Sequence, residues 1–261
     1  MDAETGTGEG GTMKRYEAYI FDLYGTLIDV HTDERKPAFW RALAAVFAEH
    51  GAHYEPKALQ ARYLELCRRE TLRLCAENEA TAEEAEIDLA PVFAALFEEK
   101  GVRAESTLIA QTAWRFRCLS TTHLRAYAGA RELLLTLRRS GRSVFLLSNA
   151  QALFTRPELS LLGISDCFDG IYLSSDAGWR KPARRFMERL LLERALTPRQ
   201  CLMIGNDPNA DVAVARSVGM DSVYLVSATS PRVDPRDVPA VCVQPRIDLR
   251  RLQRTLLQTT P

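Results

Sequence analysis

The sequence predicts an α/β protein with a doubly wound parallel sheet and a helical domain inserted after the first strand. From Gly129 onward, short apolar runs alternate with amphipathic helical stretches, which is typical of a parallel sheet covered on both faces. An earlier apolar run lies at residues 16–21, and residues 37–120 then show helical spacing of apolar side chains throughout. We therefore expect two separated parts of the chain to build one sheet.

The inserted region contains four apolar faces at helical spacing. The first face ends at Gly51 and the third at Gly101, as expected for a residue that favours helix C-termini. The four faces are formed by Phe39, Trp40, Leu43, Val46 and Phe47; by Leu59, Tyr63, Leu66 and Cys67; by Ile87, Val92, Phe93, Leu96 and Phe97; and by Leu108, Thr112, Phe116 and Leu119. We expect these helices to form a cap domain over residues 31–125.

The core domain is expected to comprise residues 13–30 and 126–230, where strands and helices alternate. Its later elements are predicted as helices near 129–140, 151–162, 182–196 and 209–218 and as strands at 143–148, 170–174, 201–205 and 221–226. Residues 1–12, which are acidic and rich in Gly and Thr, are expected to form a disordered tail. Residues 231–261 carry four prolines before a basic stretch near 247–258, and we predict a surface appendage that contains a helix.

Composition favours a small-molecule partner. The 261 residues are 46% hydrophobic, and 34 basic residues balance 34 acidic ones, so the overall charge attracts neither nucleic acid nor an anionic membrane. The six cysteines form no C-x-x-C pair, which argues against a zinc site or a disulfide framework. No apolar stretch in the sequence approaches the length that a membrane span requires. We expect a cytoplasmic monomer or homodimer.

Polar side chains follow three of the predicted strands. In an open parallel sheet the carboxyl ends of the strands converge on one crevice, so these groups are expected to form one site. A carboxylate at the end of a buried strand is costly unless a cation or amide donors meet it, although an Asp before a Gly-containing turn can also simply cap a loop. The candidates are Asp22, Ser148, Asn149, Asp207 and Asp211, together with Lys181 before a predicted helix.

This ordered set resembles the haloacid dehalogenase-like hydrolase superfamily, whose members use an aspartate nucleophile, a Ser/Thr after a second strand, a lysine and a terminal acidic pair. The resemblance covers residues from about 13 to about 226. It implies a Rossmann-like core with a helical cap, and it implies that Asp22 is the nucleophile. The superfamily hosts phosphatases, phosphonate and halide hydrolases and mutases on one scaffold, so the substrate does not follow from the fold.

Attack of a carboxylate on a phosphoryl group needs a cation and hydrogen-bond donors to offset charge repulsion. Asp22 and Asp207 offer the oxygen ligands that Mg²⁺ prefers. In relatives a third ligand is the backbone carbonyl two residues after the nucleophile, which here belongs to Tyr24. Asp211 is expected to hold Lys181 or to extend the metal shell, and its alternative role is to cap the following helix.

The expected phosphate cradle consists of Ser148, Asn149 and Lys181, with Lys181 also steadying the nucleophile. Thr26 is expected to orient the turn after the first strand. Gly25 in that turn is a predicted substrate contact, and so is the neighbouring Tyr24.

Tyr24 departs from the phosphatase pattern. Most superfamily phosphatases carry a second aspartate at this position as the general acid and base, whereas a tyrosine has a reference pKa of about 10. Without a substitute, the rate is expected to fall by roughly 10²–10⁴. His31 follows the turn closely enough to replace the missing acid; the alternative is that it belongs to a polar linker into the cap.

The first motif is also similar to that of L-2-haloacid dehalogenases, which attack carbon without a metal and whose leaving group needs no proton. In those enzymes the last motif resembles Ser-Ser-Asn-x-x-Asp, whereas the corresponding motif of this chain contains Gly205-Asn206-Asp207. A second carboxylate near Asp22 would disfavour ionisation unless a cation lies between the two. The leading hypothesis is a Mg²⁺-dependent phosphatase that forms a phospho-aspartate on a small phosphorylated metabolite. The alternatives are a dehalogenase-type hydrolase and a catalytically degenerate binding protein.

The inserted cap is predicted to close over the site, excluding water and setting specificity. Its hinges are expected near residues 29–33 and 127–129.

Overall fold

The computed structural model describes residues 14–258. The predicted tail at residues 1–12 lies outside the described residues. The strands are β1 (Ala18–Phe21), β2 (Ile28–Thr32), β3 (Thr121–Ala126), β4 (Ser143–Ser148), β5 (Gly170–Leu173), β6 (Cys201–Gly205), β7 (Asp221–Leu225) and β8 (Cys242–Gln244). The helices are α1 (Pro37–Ala48), α2 (Pro56–Asn78), α3 (Ala90–Glu98), α4 (Ser106–Ser120), α5 (Ala130–Arg139), α6 (Ala152–Leu161), α7 (Ser174–Ala177), α8 (Arg184–Glu193), α9 (Ala213–Ser217) and α10 (Leu249–Leu257).

The main sheet has the strand order β5-β4-β1-β6-β7-β8, and every pair in it is parallel. The predicted doubly wound α/β fold is therefore confirmed. β1 lies in the middle, and its last residue, Phe21, is level with Leu146 of β4 and Ile204 of β6. All four residues of β1 are buried. This register brings the polar residues that follow the three strands to the same edge of the sheet.

The helices between β2 and β3 enclose a hydrophobic cluster of their own. Aromatic rings dominate it; Phe39 and Phe116, for example, meet edge to face at 5.0 Å. Phe154 of α6 also joins this cluster, and its ring stacks on Phe116 with 5.8 Å between the centroids. The four helical faces read from the sequence therefore pack against each other and also against α6.

Two features of the fold were not predicted from the sequence. β2 and β3 form an antiparallel ribbon that leads into and out of the helical region. The predicted helix at 209–218 begins instead as a π-helical segment, Pro208–Val212, before α9. Such a widened turn lies within a helix-forming sequence and has no distinct periodic signal.

Residues 231–258 differ from the predicted surface appendage. β8 extends the main sheet by pairing with β7, and α10 packs on α5. Leu249, Leu252 and Leu256 recur at helical spacing and are buried in the same hydrophobic cluster as β1. The predicted helix is therefore present as α10, but its apolar face belongs to the core and the segment is not a surface appendage. Across residues 14–258, no helix combines the length and the apolar character that a bilayer crossing requires.

Candidate active site

Asp22 is the first residue after β1 and faces a cavity of about 230 Å³. Its Oδ1 accepts hydrogen bonds from Lys181 Nζ at 2.7 Å and from Ser148 Oγ at 3.2 Å. Thr26 Oγ1, which has one hydrogen to donate, lies 3.3 Å from Oδ2 and 3.2 Å from Asn206 Oδ1. A carboxylate that is buried in this way is stabilised by a cation and by directed donors. The turn after the central strand therefore presents an oriented carboxylate to the cavity.

Lys181 is buried and links two carboxylates. Its Nζ donates to Asp22 Oδ1 and to Asp211 Oδ1, each at 2.7 Å, and to the carbonyl of Leu147 at 2.8 Å. Burial by itself disfavours the ammonium, but the charges of Asp211 and Asp22 outweigh it, so the pKa of Lys181 is raised. The three ammonium hydrogens therefore each have an acceptor, and the charge is retained.

Asp211 holds the lysine. Its second oxygen accepts the backbone N–H of Asp207 at 2.9 Å, and burial, only partly countered by Lys181, raises the pKa of Asp211 to about 6. A methyl group on Gly205 would lie 2.1 Å from Asp211 Oδ2, so β6 approaches this carboxylate more closely than any larger residue allows. The side chain that caps the following helix belongs to Asp207, which accepts from Asn209 N.

The amide of Asn149 is bonded to the backbone next to the site, and its role in the phosphate cradle stays a prediction. Both polar atoms of its amide pair with the backbone of Lys181, one accepting from N–H and the other donating to C=O, each at 2.8 Å. The amide therefore positions the lysine instead of leaving both groups for a phosphate. This side chain still lines the cavity.

The turn after Asp22 depends on a glycine. Gly25 has a φ of 81°, in the left-handed region, and a Cβ there would lie 2.4 Å from Asn206 Nδ2 and from Thr229 Oγ1. Both conditions exclude a side chain. The tight turn lets Tyr24 and Gly25 line the cavity together with Asp22.

The phenol of Tyr24 points into a polar cluster next to α6. It donates to Glu158 Oε2 at 2.5 Å and is hydrogen-bonded to Thr155 Oγ1 at 3.0 Å. Glu158 Oε1 accepts from Arg117 Nε of α4 at 2.5 Å. Burial, followed by the charge of Glu158, raises the pKa of Tyr24. The phenol is therefore neutral, and its proton is engaged.

The sequence reading did not single out Glu158, Arg117 or Thr155. One signal was present: Glu158 is a charged residue on the face of α6 that also carries Phe154, Thr155 and Leu159, and all four are buried. A charge on the buried face of a helix requires a partner. The identity of that partner, on a helix 41 residues away, could not be read from the sequence.

His31 was predicted to approach the substrate, and the structure shows that it does not line the cavity. Neighbouring Val30 on β2 lines it, and because successive side chains of a strand point to opposite faces, His31 points away. Its imidazole lies 2.9 Å from Thr122 Oγ1 and stacks on His123. The alternative reading of His31, as part of the linker into the cap, matches this position.

The cavity offers ligands of the type that Mg²⁺ prefers. Asp22 and Asp207 both line it, as does Tyr24, whose backbone carbonyl is the predicted third ligand. Residues 14–258 contain no cluster of three or more His, Cys, Asp or Glu side chains suited to a metal. Mg²⁺ commonly keeps several waters and takes only one or two protein carboxylates, so the residues present fit this ion and do not fit one that needs a full protein cage.

Fold and site together define the class of protein: a hydrolytic enzyme whose cavity lies at the carboxyl edge of a doubly wound sheet. Residues 16–219 match the family model of the haloacid dehalogenase-like hydrolases. The chain belongs to this family, as the order of its motifs predicted.

Relatives of the chain include enzymes named as phosphatases. A glyceraldehyde 3-phosphate phosphatase of Methanothermobacter thermautotrophicus is 29% identical over 104 residues, which cover 40% of this chain and 46% of that protein. YfnB of Bacillus subtilis, named a HAD-hydrolase, is 25% identical over 243 residues, which cover 92% of this chain and 94% of YfnB. The match to the phosphatase thus spans less than half of its length.

Solved structures share the fold. YfnB bound to magnesium superposes with a TM-score of 0.52 at 20% identity, over 93% of this chain and 99% of YfnB. A dehalogenase with an intermediate complex superposes with a TM-score of 0.56 at 18% identity, over 95% of this chain and all of the other. At these identities the likeness concerns the fold and does not separate the two chemistries.

Proposed function

We propose that this chain is a Mg²⁺-dependent phosphatase that acts on a small phosphorylated metabolite through a phospho-aspartate intermediate. The observation that carries the proposal is the buried chain of Asp22, Lys181 and Asp211 at the cavity, with the carboxylate of Asp207 on the same wall. The similarity to phosphatase-named relatives supports it.

In the proposed reaction Asp22 attacks phosphorus while the leaving oxygen departs from the opposite side. Lys181 orients Asp22 through their hydrogen bond and supplies a fixed positive charge beside the transferred group. Ser148 Oγ, now bonded to Asp22 Oδ1, is placed to turn toward an oxygen of the phosphoryl group. Water then cleaves the phospho-aspartate and regenerates Asp22.

Asp22, Asp207 and the carbonyl of Tyr24 are the proposed Mg²⁺ ligands. The bound ion would offset the negative charges of the carboxylates and the phosphate. Three carboxylates line the cavity, those of Asp22, Asp207 and Asp211, and Lys181 bonds to Asp22 and Asp211 only. The ion would supply positive charge that Lys181 alone does not.

A dehalogenase-type hydrolase is the second candidate. The engaged phenol of Tyr24 favours it, because a halide leaves without a proton. Halide release from 2-chloropropionate that persists in a metal chelator would support this candidate, and a degenerate binding protein would release neither halide nor phosphate.

The test of the proposed function is a screen of phosphorylated metabolites, with and without Mg²⁺, on the wild type and Asp22→Asn. We expect Mg²⁺-dependent phosphate release that Asp22→Asn abolishes, because an amide is not a nucleophile for phosphorus at this site. Asp166→Asn, at an exposed carboxylate next to Cys167, is the matched control. Phosphate release that survives in Asp22→Asn would contradict the proposal.

A further inference from the structure

Acidic and basic side chains line the cavity, but the hydrogens that they carry are already used in hydrogen bonds within the protein. Tyr24 has a single phenolic hydrogen, which it donates in the hydrogen bond of 2.5 Å to Glu158 Oε2. Thr155 then donates to the phenol oxygen. Arg117 fixes Glu158 from the other side through the contact at 2.5 Å. Glu158 and Thr155 are fully buried, so water does not compete for these bonds.

The remaining titratable groups of the cavity are similarly occupied. Lys181 gives its three hydrogens to three acceptors. Asp211 accepts on both oxygens, from Lys181 and from Asp207 N. Asp22 accepts from Lys181 and Ser148, and Asp207 accepts from Asn209 N. Among the titratable side chains that line the cavity in residues 14–258, neither Tyr24 nor Lys181 therefore has a hydrogen that is not already donated within the protein.

We propose that the site selects phosphate compounds whose leaving group departs as a stable anion, namely acyl, enol or acidic aryl phosphates, over phosphate esters of simple alcohols. This inference rests on the proposed phosphatase function and specifies its substrate class. Alkoxides leave slowly without a proton, whereas carboxylates, enolates and phenolates do not need one. Tyr24 is then a fixed wall of the cavity and not a proton donor.

The proton balance of both steps agrees with this class. In the first step an oxygen of Asp22 bonds to phosphorus, the bond to the leaving oxygen breaks, and its electron pair stays on the departing anion. In the second step water attacks phosphorus, and the bond to the Asp22 oxygen breaks. The electron pair returns to the carboxylate, and both water hydrogens leave on dihydrogen phosphate. The group released in the second step is itself a carboxylate, so neither step draws a proton from the enzyme.

The test is a leaving-group series at saturating Mg²⁺ with acetyl phosphate, 4-nitrophenyl phosphate, phenyl phosphate and ethyl phosphate. We expect kcat/KM of the wild type to fall steeply along this series, with ethyl phosphate roughly 10²–10⁴ below 4-nitrophenyl phosphate. Tyr24→Phe removes the phenolic hydrogen and is expected to leave the steepness unchanged. Tyr24→Asp introduces a carboxyl group that can protonate the leaving oxygen. We expect it to raise kcat/KM for ethyl phosphate and so to make the fall along the series less steep.

Two results would overturn the inference while the proposed function stands. One is wild-type turnover of ethyl phosphate within about tenfold of 4-nitrophenyl phosphate, since general acid catalysis is worth more than that. The other is a Tyr24→Phe variant that loses ethyl phosphate turnover selectively, because the phenol would then be the acid. Failure of the wild type to release phosphate from any of the four compounds would instead overturn the proposed function, and this inference with it.

Discussion

At the scale of single residues, the charges buried near the cavity come in compensated sets. Lys181 lies between Asp22 and Asp211, and Arg117 lies against Glu158. Removing one member of such a set leaves the other charged in a poorly solvated place, which costs more than the pair itself contributes. These side chains are therefore coupled to stability as well as to the site.

Glu158→Ala tests this coupling. The side chain of Arg117 is only 12% exposed and would lose its carboxylate, while the Tyr24 phenol would lose its acceptor. We expect the free energy of unfolding, measured in urea, to fall by about 3–5 kcal/mol. Glu188→Ala removes an exposed carboxylate paired with Arg184 and should cost less than about 1 kcal/mol. Equal losses in the two variants would contradict the prediction.

At the scale of elements, the site depends on how closely β6 and the π-helical segment approach each other. Asp211 folds back over Gly205 and reaches both Lys181 and Asp207 N. The loop between α2 and α3 makes a second close approach: Glu86 accepts from Ser174 and from Gln151, each at 3.0 Å. Gln151 lies directly before α6 and two residues after Asn149. Its hydrogen bond to Glu86 therefore attaches this loop next to the site.

Gly205→Ala is expected to disturb the site without changing any polar group. The added methyl would overlap Asp211 Oδ2, and either the strand or the carboxylate must move. Overpacking of this kind costs about 1–3 kcal/mol, and displacement of Asp211 removes one of the acceptors of Lys181. We expect lower stability in urea and a lower kcat. A variant with wild-type kcat and stability would show that the segment moves freely.

Glu86→Gln tests the electrostatics of the loop. Burial raises the pKa of Glu86 above its ordinary 4.5, and the hydrogen bond from Ser174 and the charge of Arg180 oppose this shift only in part. Because the folded pKa exceeds the unfolded one, the stability that Glu86 contributes is complete below pH 4.5 and is lost as the pH rises through the folded value. The difference in unfolding free energy, wild type minus Glu86→Gln, should therefore decline with rising pH.

The control for this pH series is Glu83→Gln, an exposed side chain of the same loop. A wild-type to Glu86→Gln difference that stays constant or increases with pH would show that Glu86 is not desolvated in solution.

At the scale of the whole molecule, the helical region between β2 and β3 is attached to the sheet-bearing part at several points. Arg117 meets Glu158, Phe116 stacks on Phe154, and Glu86 reaches Ser174. The first two contacts join α4 to α6, and the third joins the loop between α2 and α3 to α7. Cap closure remains a prediction, and any opening has to separate a buried ion pair.

Mg²⁺ is expected to stabilise the folded chain as a whole, because the proposed ligands come from β1 and from the end of β6 and converge only after folding. At a free Mg²⁺ concentration about 100 times the Kd, the stabilisation is about 2.7 kcal/mol. Urea unfolding with and without MgCl₂ measures it. Asp207→Asn should lose most of this increment, and an identical increment in that variant would place the ion elsewhere.

Much of the fold could be predicted because its signals are local. The alternation after Gly129 predicted the parallel sheet, and the order of Asp22, Ser148, Lys181 and Asp207 predicted the family. The β2–β3 ribbon was missed because its alternation is short and half exposed. The helix α10 was predicted, but β8 and the packing of this segment on the core were not, because prolines precede it and only the packing partners show that it belongs to the core.

By itself, the sequence determined that Asp22, Ser148 and Lys181 meet Asp207 and Asp211 at one cavity, because strands of one parallel sheet deliver the residues that follow them to a common edge. The tertiary structure decided what each of them does there. Asn149 is hydrogen-bonded to the backbone of Lys181, His31 points away from the cavity, and the phenol of Tyr24 donates a hydrogen bond to Glu158. The physical reason is that a hydrogen bond depends on distance and direction between groups far apart in the chain, and chain order does not encode these quantities locally.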